Sequence, residues 1–263
     1  MIENGQRPVV TVFCICYNHA KYLRQALDSV VCQKTDFPFE VLVHDDASTD
    51  DSPKIILEYQ KKYPGLIIPI LQKENQNAKG VNRYTTFLFP ITRGEFIAHL
   101  ECDDFWCDPY KLQKQVNALR NNPDCVACVH STALCNEKGE LNGQVIPKRV
   151  FEQEVVSPEQ IVCCVAQDDM FHTSSRMFRT ALRKEMEYNK PYWSQQCKIV
   201  GDVPNMLFAA VHGPVYYIQE IMSVYRLQSI GSYSEKLATS ATYFLNVRKE
   251  MVEMWTRFPS TAC

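Results

Sequence analysis

The sequence predicts an α/β fold in which a mostly parallel sheet is flanked by helices. Of its 263 residues, 46% are hydrophobic and 22% are charged, which supplies enough apolar surface for a sizeable core. Short apolar runs alternate with segments of helical periodicity through the N-terminal half of the chain. The first of these runs is continuously apolar, as is typical of a strand that is buried on both faces.

Four strands with helices between them are predicted in the N-terminal half. The strands cover residues 9–16, 39–44, 66–71 and 95–100, and the helices follow Asn18 or cover 52–63 and 83–92. In the first helix, apolar residues such as Leu23 and Leu27 recur every four positions and predict one buried face. Parallel sheets bind ligands beyond the carboxyl ends of their strands, so the segments after Cys16, His44 and Leu100 are expected to form the site.

The second half of the chain is less regular. Its predicted elements are a helix at 109–121, a strand at 125–131, a turn-rich segment at 136–143, strands at 171–178 and 215–226, and a helix at 202–211. The tail carries apolar residues at helical spacing, which predicts an amphipathic helix that either packs on the protein or contacts a membrane surface or a partner. No linker divides the chain into independent domains.

Charge and cysteine use exclude several classes of protein. The formal net charge of −2, from 28 basic and 30 acidic residues, argues against a general grip on nucleic acid. No apolar run approaches the ~20 residues of a membrane span, and the first residues do not form an export signal. The twelve cysteines lie in apolar segments, which indicates a reducing, cytoplasmic compartment. Cys125 and Cys128 have no second pair at zinc-finger spacing and are expected to be buried thiols.

Both common phosphate-binding loops, GxGxxG and GxxxxGK, are absent from the sequence, as is the GxSxG elbow. A nucleotide would therefore need another device, such as a divalent cation held by carboxylates. Asp103 and Asp104 follow the fourth strand, and Asp45 and Asp46 end the second. Hard oxygen ligands of this kind suit Mg²⁺ or Mn²⁺, although an exposed acidic turn before a helix is the alternative.

Four segments in order, VVTVFCICYN (9–18), VHDDASTD (43–50), GEFIA (94–98) and ECDDFW (101–106), resemble the family 2 inverting glycosyltransferases with the GT-A fold. The resemblance covers residues 9–120 and continues more loosely to 231. It implies one GT-A domain at 1–231, with a nucleotide-sugar-binding half at 9–120 and an acceptor-binding half at 121–231. A smaller acceptor-side sheet would continue the main one, and 232–263 would form the C-terminal helix.

The resemblance also implies roles for the residues at matching positions. The nucleotide would be bound by Ile15, Tyr17, Asp46, Asp103 and Arg226, with Lys79 or Arg83 in place of a family arginine. Asp46 would accept a hydrogen bond from the uracil ring, Asp104 would hold the metal, and Asp202 would be the catalytic base. The acceptor side would include His172 and Arg176, and Trp193 is expected to stack on a sugar ring. The chain departs from the family pattern at Gln228, where relatives carry His, and at Cys14 and Cys16.

The implied activity is metal-dependent transfer of a sugar, with inversion, from a nucleotide-sugar donor, expected to be a UDP-sugar. The acceptor would be a hydroxyl of a glycan or lipid-linked glycan, and the cofactor Mn²⁺ or Mg²⁺. Asp202, at a helix N-terminus that favours its ionised form, would remove the hydroxyl proton, unless it is a plain helix cap or Asp168 and Asp169 supply the base. The protein is expected in the cytoplasm or peripherally at the inner membrane face.

Two other functions stay open at this point. One is an inactive glycan-binding protein on the same fold, which the departures at Gln228, Cys14 and Cys16 suggest. The other is a sugar-phosphate nucleotidyltransferase, an enzyme class that normally carries a glycine-rich N-terminal loop. Residues 14–21 contain no glycine, which argues against the second function.

Overall fold

The computed structural model describes residues 6–195, 197, 201–227, 229 and 233–259, and its described part is built around one sheet. The strands are β1 (Val10–Cys16), β2 (Phe39–Asp45), β3 (Ile67–Leu71), β4 (Phe96–Glu101), β5 (Phe105–Trp106), β6 (Ala127–Cys135), β7 (Leu141–Ile146), β8 (Val155–Val156), β9 (Met177–Arg179) and β10 (Val215–Arg226). The helices are α1 (Ala20–Val31), α2 (Ser52–Lys62), α3 (Lys111–Asn121), α4 (Pro158–Ala166), α5 (Thr180–Tyr188), α6 (Asp202–His212), α7 (Tyr233–Thr239) and α8 (Ala241–Arg257).

The sheet order is β3-β2-β1-β4-β9-β6-β10-β5, with β7 beside β6 and β8 beside β10. Strands β3, β2, β1 and β4 are parallel neighbours, and so are β6 and β10. The short strand β9 is antiparallel to both β4 and β6 and joins the two groups. The α/β fold with helices around a mostly parallel sheet is confirmed, and the strands of the second half of the chain continue the main sheet.

The strand register brings the polar segments after β1, β2 and β4 to one edge. Cys16 pairs with Asp45 of β2, and Ile15 pairs with Glu101 of β4. The three strands therefore end at the same level, because parallel strands in register share their carboxyl ends. The edge is where α/β sheets bind ligands.

Two large hydrophobic clusters hold the sheet to its helices. One packs β1, β2 and β4 against α1, α2 and α3, and it includes the predicted helix face of Leu23 and Leu27, both fully buried. The other packs β6, β9 and β10 against α4, α6 and α8. A fully buried leucine contributes about 1.5–3 kcal/mol relative to an exposed one, so these faces fix where each helix lies.

Several predicted elements differ from the structure, among them the turn-rich segment at 136–143, whose last residues belong to β7. Residues 83–92 form a π-helical turn at Tyr84–Leu88 followed by a 3₁₀ turn at Phe89–Ile91, where Pro90 lacks the N–H that a continuing helix would need. The strand predicted at 171–178 is wrong for most of its length. Thr173–Ser175 is a 3₁₀ turn, because the His172 side chain accepts the Ser174 backbone N–H and so competes with strand pairing.

Helices α4 and α5 are not predicted from the sequence. The tail, predicted as one helix, contains α7 and α8. The α4 start carries a local signal: Ser157 and Gln160 form a reciprocal capping box. Ser240 begins α8 by accepting the Tyr243 backbone N–H. None of the helices in the described ranges is both long and apolar enough to cross a membrane.

Candidate active site

Three of the four residues at 101–104, at the carboxyl end of β4, are acidic. Asp104, 1% exposed, accepts the backbone N–H of Arg226 at 2.9 Å and the Ser174 hydroxyl at 2.8 Å. Asp103 is also buried and accepts the Ser229 hydroxyl at 2.6 Å. Together with Glu101, the last residue of β4, these side chains form the acid cluster (Glu101, Asp103 and Asp104). Segments far apart in the sequence therefore converge on it.

The charges in the acid cluster oppose one another. Burial raises the pKa of Asp104 well above its usual value, and the neighbouring Asp103 carboxylate raises it further. The pKa of Glu101 is raised to about 7, chiefly by burial and then by repulsion from Asp103 and Asp202, while Arg83 opposes the shift. A positive ligand would relieve this repulsion and favour the ionised carboxylates.

The acid cluster supplies carboxylate oxygens, the type of ligand that divalent cations such as Mg²⁺ prefer. Among the residues that the structure describes, no group of three or more His, Cys, Asp or Glu side chains is arranged to hold a metal. Mg²⁺ and Mn²⁺ accept hard oxygen ligands, and Mg²⁺ commonly takes one or two protein carboxylates, completing its shell with phosphate and water. Asp104 would be the main protein ligand in such an arrangement.

His172, predicted on the acceptor side, lies against the acid cluster. Its ring stacks on Tyr225 with centroids 4.1 Å apart, and its Nδ1 is 3.7 Å from a carboxylate oxygen of Asp104. That nitrogen accepts the backbone N–H of Ser174 at 3.2 Å, and burial lowers the pKa of the ring to about 3. The imidazole is therefore neutral near pH 7 and is not the cation of an ion pair.

Asp46, predicted to contact the nucleotide base, organises a loop in this structure. Its two carboxylate oxygens accept the backbone N–H groups of Gln76 and Asn77, at 2.7 and 3.1 Å. At the neighbouring end of β1, Ile15 is buried and Tyr17 is 46% exposed. The edge thus presents an exposed aromatic ring beside a carboxylate that is already hydrogen-bonded.

The two basic residues predicted in this region differ in their surroundings. Lys79 forms an exposed ion pair with Glu74. Arg83 is half-buried, and its charge lowers the pKa of both Glu101 and His44. The structure therefore brings Arg83, but not the Lys79 ion pair, into electrostatic contact with the acid cluster.

Arg226 is enclosed by protein rather than turned toward an open cleft. The side chain is 2% exposed, its Nε donates to the Asp103 carbonyl at 2.9 Å, and its guanidinium lies 4.7 Å above the Tyr22 ring. The other nitrogens donate to the Glu137 carbonyl and the Gln25 side chain. Its observed contacts hold in place the turn at residues 101–104 (the acidic turn), whereas the resemblance implied a contact with diphosphate.

Trp193 also has a protein partner where a sugar ring was expected. Its side chain is 6% exposed and packs edge-to-face against Phe258, with centroids 5.0 Å apart, in the second hydrophobic cluster. The expected stacking platform is thus already covered in this structure. Gln228, the departure from the family pattern, lies outside the described residues.

Asp202, the predicted base, is the first residue of α6. Its carboxylate accepts the Val203 backbone N–H at 2.9 Å and lies 3.9 Å from the Arg176 guanidinium, with about a third of the side chain exposed. Ser174 and Arg176, which are two residues apart, link the two acids: the Ser174 hydroxyl donates to Asp104, and the Arg176 guanidinium donates to the Asp202 carbonyl. The acid cluster and the candidate base therefore belong to one site.

Asp168 and Asp169, the alternative source of the base, contact other parts of the protein. Asp169 accepts the backbone N–H groups of Lys148 and Arg149, and Asp168 is largely exposed and 3.9 Å from Arg248. Sequence reasoning missed Ser174 and Ser229, which hold the acid cluster through hydroxyl groups. Neither serine carries a local pattern that could have identified it, because each acts only through contacts made by the folded chain.

The family model described as Glycosyl transferase family 2 matches residues 11–186. An uncharacterized protein of Mycobacterium tuberculosis, Rv1520, is 41% identical over 138 residues, which cover 52% of this chain and 39% of that protein. The poly(ribitol-phosphate) beta-N-acetylglucosaminyltransferase TarS of Staphylococcus aureus is 28% identical over 191 residues, covering 71% of this chain and 30% of TarS. The chain therefore spans well under half the length of these relatives.

Two solved structures share the fold. The structure of S. aureus TarS 1–349 in complex with UDP-GlcNAc superposes with a TM-score of 0.65 at 20% identity, over 93% of this chain and 66% of the other. The mannosyltransferase PcManGT of Pyrobaculum calidifontis, in complex with GDP-Man and Mn²⁺, gives 0.59 at 18% identity, over 97% and 72%. At these identities the likeness establishes the architecture alone.

Proposed function

Since this chain belongs to glycosyl transferase family 2, we propose that it transfers a sugar from a nucleotide-sugar donor to a hydroxyl group by a single, inverting displacement. The observation that carries the proposal is that one short segment, residues 174–176, contacts both the acid cluster, through Ser174, and Asp202, through Arg176. We propose a UDP-sugar as the donor, supported by the UDP-GlcNAc complex of the structural relative TarS. The acceptor would be a glycan or a lipid-linked glycan.

The donor would lie along the edge formed by β1, β2 and β4. Ile15 and Tyr17 would flank the base, Asp46 would approach its polar edge, and Asp103 would bind near the ribose. Asp104 would hold Mn²⁺ or Mg²⁺, which when bound stabilises the negative charge of the diphosphate leaving group. The Mn²⁺ in the PcManGT complex supports this choice of cofactor.

The chemical step needs a base on the acceptor side. Asp202 would take the proton of the acceptor hydroxyl while its oxygen bonds to the anomeric carbon and the bond to the diphosphate breaks. One displacement inverts the anomeric centre, and no covalent nucleophile is required. His172, held neutral beside the acid cluster, would contact the acceptor side, and Arg226 would contribute by fixing the acidic turn.

The base is tested with Asp202→Asn, which keeps the size of the side chain and removes its ability to take a proton. We expect kcat for UDP release from UDP-GlcNAc to fall by roughly 10²–10⁴-fold, while the Kd for UDP changes by less than about twofold. Asp168→Asn is the matched control, because Asp168 is an exposed acid of the alternative pair, and it is expected to retain activity. An active Asp202→Asn protein, or an inactive Asp168→Asn protein, would contradict the assignment.

The metal site is tested by calorimetric titration of UDP with and without Mn²⁺. Wild-type protein should bind UDP more tightly with the cation, and Asp104→Asn should lose that gain because the main carboxylate ligand is absent. Asp108→Asn, in the same loop but paired with Lys114, is the control and should keep the gain. Glycan binding without metal-linked UDP affinity would favour an inactive binding protein, and release of pyrophosphate from UTP would favour a nucleotidyltransferase.

A further inference from the structure

Arg176 has surroundings that differ from those of an acceptor-binding residue. It is 1% exposed and precedes β9. Its Nε and Nη2 both donate to the carbonyl oxygen of Phe171, at 3.1 and 2.5 Å. This forked contact fixes the plane of the guanidinium, because both bonds end on one backbone oxygen of a buried residue.

The remaining edge of the same guanidinium faces the start of α6. Its Nη1 donates to the backbone carbonyl of Asp202 at 3.1 Å, and its Nη2 lies 3.9 Å from the Asp202 carboxylate. The other carboxylate oxygen accepts the Val203 backbone N–H at 2.9 Å. The Asp202 carboxylate is therefore restrained on both sides, by a backbone donor on one and by a positive charge on the other.

The charge on Arg176 persists at neutral pH. Burial lowers the pKa of its guanidinium to about 10, with Asp202 acting against that shift. A general base must be aimed at the proton it removes, and a misplacement of about 1 Å can cost roughly 10²-fold in rate. The planar fork of arginine can hold two partners at fixed angles, which lysine cannot do.

We infer that Arg176 is a positioning residue that fixes the orientation of the Asp202 carboxylate by tying the start of α6 to the Phe171 carbonyl. This inference rests on the proposed function, in which Asp202 is the base. It assigns Arg176 a role through Asp202 and not a contact with the acceptor, because the observed contacts use every nitrogen of its guanidinium on protein groups.

The inference is tested with Arg176→Lys and Arg176→Met, and with Arg183→Lys as the matched control. Arg183 is fully buried and contacts His99, Glu187 and the Tyr84 ring. Its replacement therefore also removes a buried guanidinium, but none of these contacts involves Asp202. The probe is UDP-GlcNAc with Mn²⁺, and the readouts are kcat and KM for UDP release across pH. Both Arg176 variants should lose about 10–100-fold in kcat with little change in KM, and the acid limb of the pH profile should move.

Crystal structures of the Arg176→Met and Arg183→Lys proteins supply a readout that does not depend on activity. In Arg176→Met the Asp202 carboxylate should adopt a new or divided position, whereas in Arg183→Lys it should stay in place. An unmoved carboxylate in Arg176→Met, or an equal loss of kcat in Arg183→Lys, would overturn the inference. If wild-type protein releases no UDP, the proposed activity on this donor fails, while the crystallographic comparison still decides the role of Arg176.

Discussion

Lys111, the first residue of α3, is a buried ionisable group that is expected to make the free energy of unfolding depend on pH. The side chain is fully buried, its Nζ donates to Gln115 at 2.6 Å, and it lies 4.1 Å above the Trp106 ring. Burial lowers the pKa of its ammonium group to about 7. Neither the Trp106 contact nor the burial could be predicted from the sequence, where Lys111 stands among other polar residues of an amphipathic helix.

The contribution of Lys111 to the free energy of unfolding is expected to rise with pH between about 7 and 10. In that range the unfolded chain still binds the Lys111 proton while the folded chain has lost it, so raising the pH favours folding. The slope from one such group is at most about 1.4 kcal/mol per pH unit. Urea unfolding at several pH values measures it.

Lys111→Met should remove this contribution, so the slope of the unfolding free energy against pH should be smaller in the variant than in wild type between pH 7 and 10. Lys114→Met is the control on the same helix, since Lys114 is paired with Asp108 and Glu220 and its pKa is raised rather than lowered. The same slope in Lys111→Met as in wild type would show that another group titrates.

The loop between β3 and the π-helical turn at Tyr84–Leu88 is tied to the end of β2. Asp46 holds this loop through the backbone N–H groups of Gln76 and Asn77. The strand that ends at Asp45 and the acidic pair could be predicted from an apolar run followed by polar residues. The anchoring of a loop thirty residues away could not, because it depends on the folded arrangement of β2 and β3.

Asp46→Asn should loosen the loop in the absence of any nucleotide. The amide offers one acceptor oxygen where the carboxylate offers two, so one of the two backbone N–H groups loses its partner. Hydrogen exchange should then become faster at Gln76 and Asn77. Asp45→Asn, whose native partner is Ser48, should leave exchange at these two amides unchanged. Unaltered exchange in Asp46→Asn would mean that these bonds do not hold the loop.

At the scale of the whole molecule, the tail belongs to the core of the second half. Val247 and Met254 of α8 are buried in the second hydrophobic cluster, and Phe258 packs on Trp193. The sequence predicted an amphipathic helix here but left its partner open. Periodicity shows that a helix has an apolar face, yet the surface that covers that face is known only once the other elements are in place.

Met254→Ala is expected to reduce the free energy of unfolding by about 2–5 kcal/mol, because it removes a buried side chain and leaves a cavity. Val252→Ala is the matched control on the same helix. Val252 is 62% exposed, and its truncation should change stability by less than about 0.5 kcal/mol. Guanidinium unfolding of the full chain measures both, and equal effects would show that α8 is not part of the cooperative core.

The contact of β10 with the acid cluster has a consequence for the order of events during synthesis. A nascent chain that has left the ribosome only as far as β9 already contains Glu101, Asp103 and Asp104. It lacks the Arg226 backbone N–H that Asp104 accepts and the Arg226 guanidinium that grips the Asp103 carbonyl. The turn that carries Asp103 and Asp104 is therefore completed only when β10 joins the sheet, so under the proposed function a chain that ends before β10 should bind UDP more weakly than the whole chain.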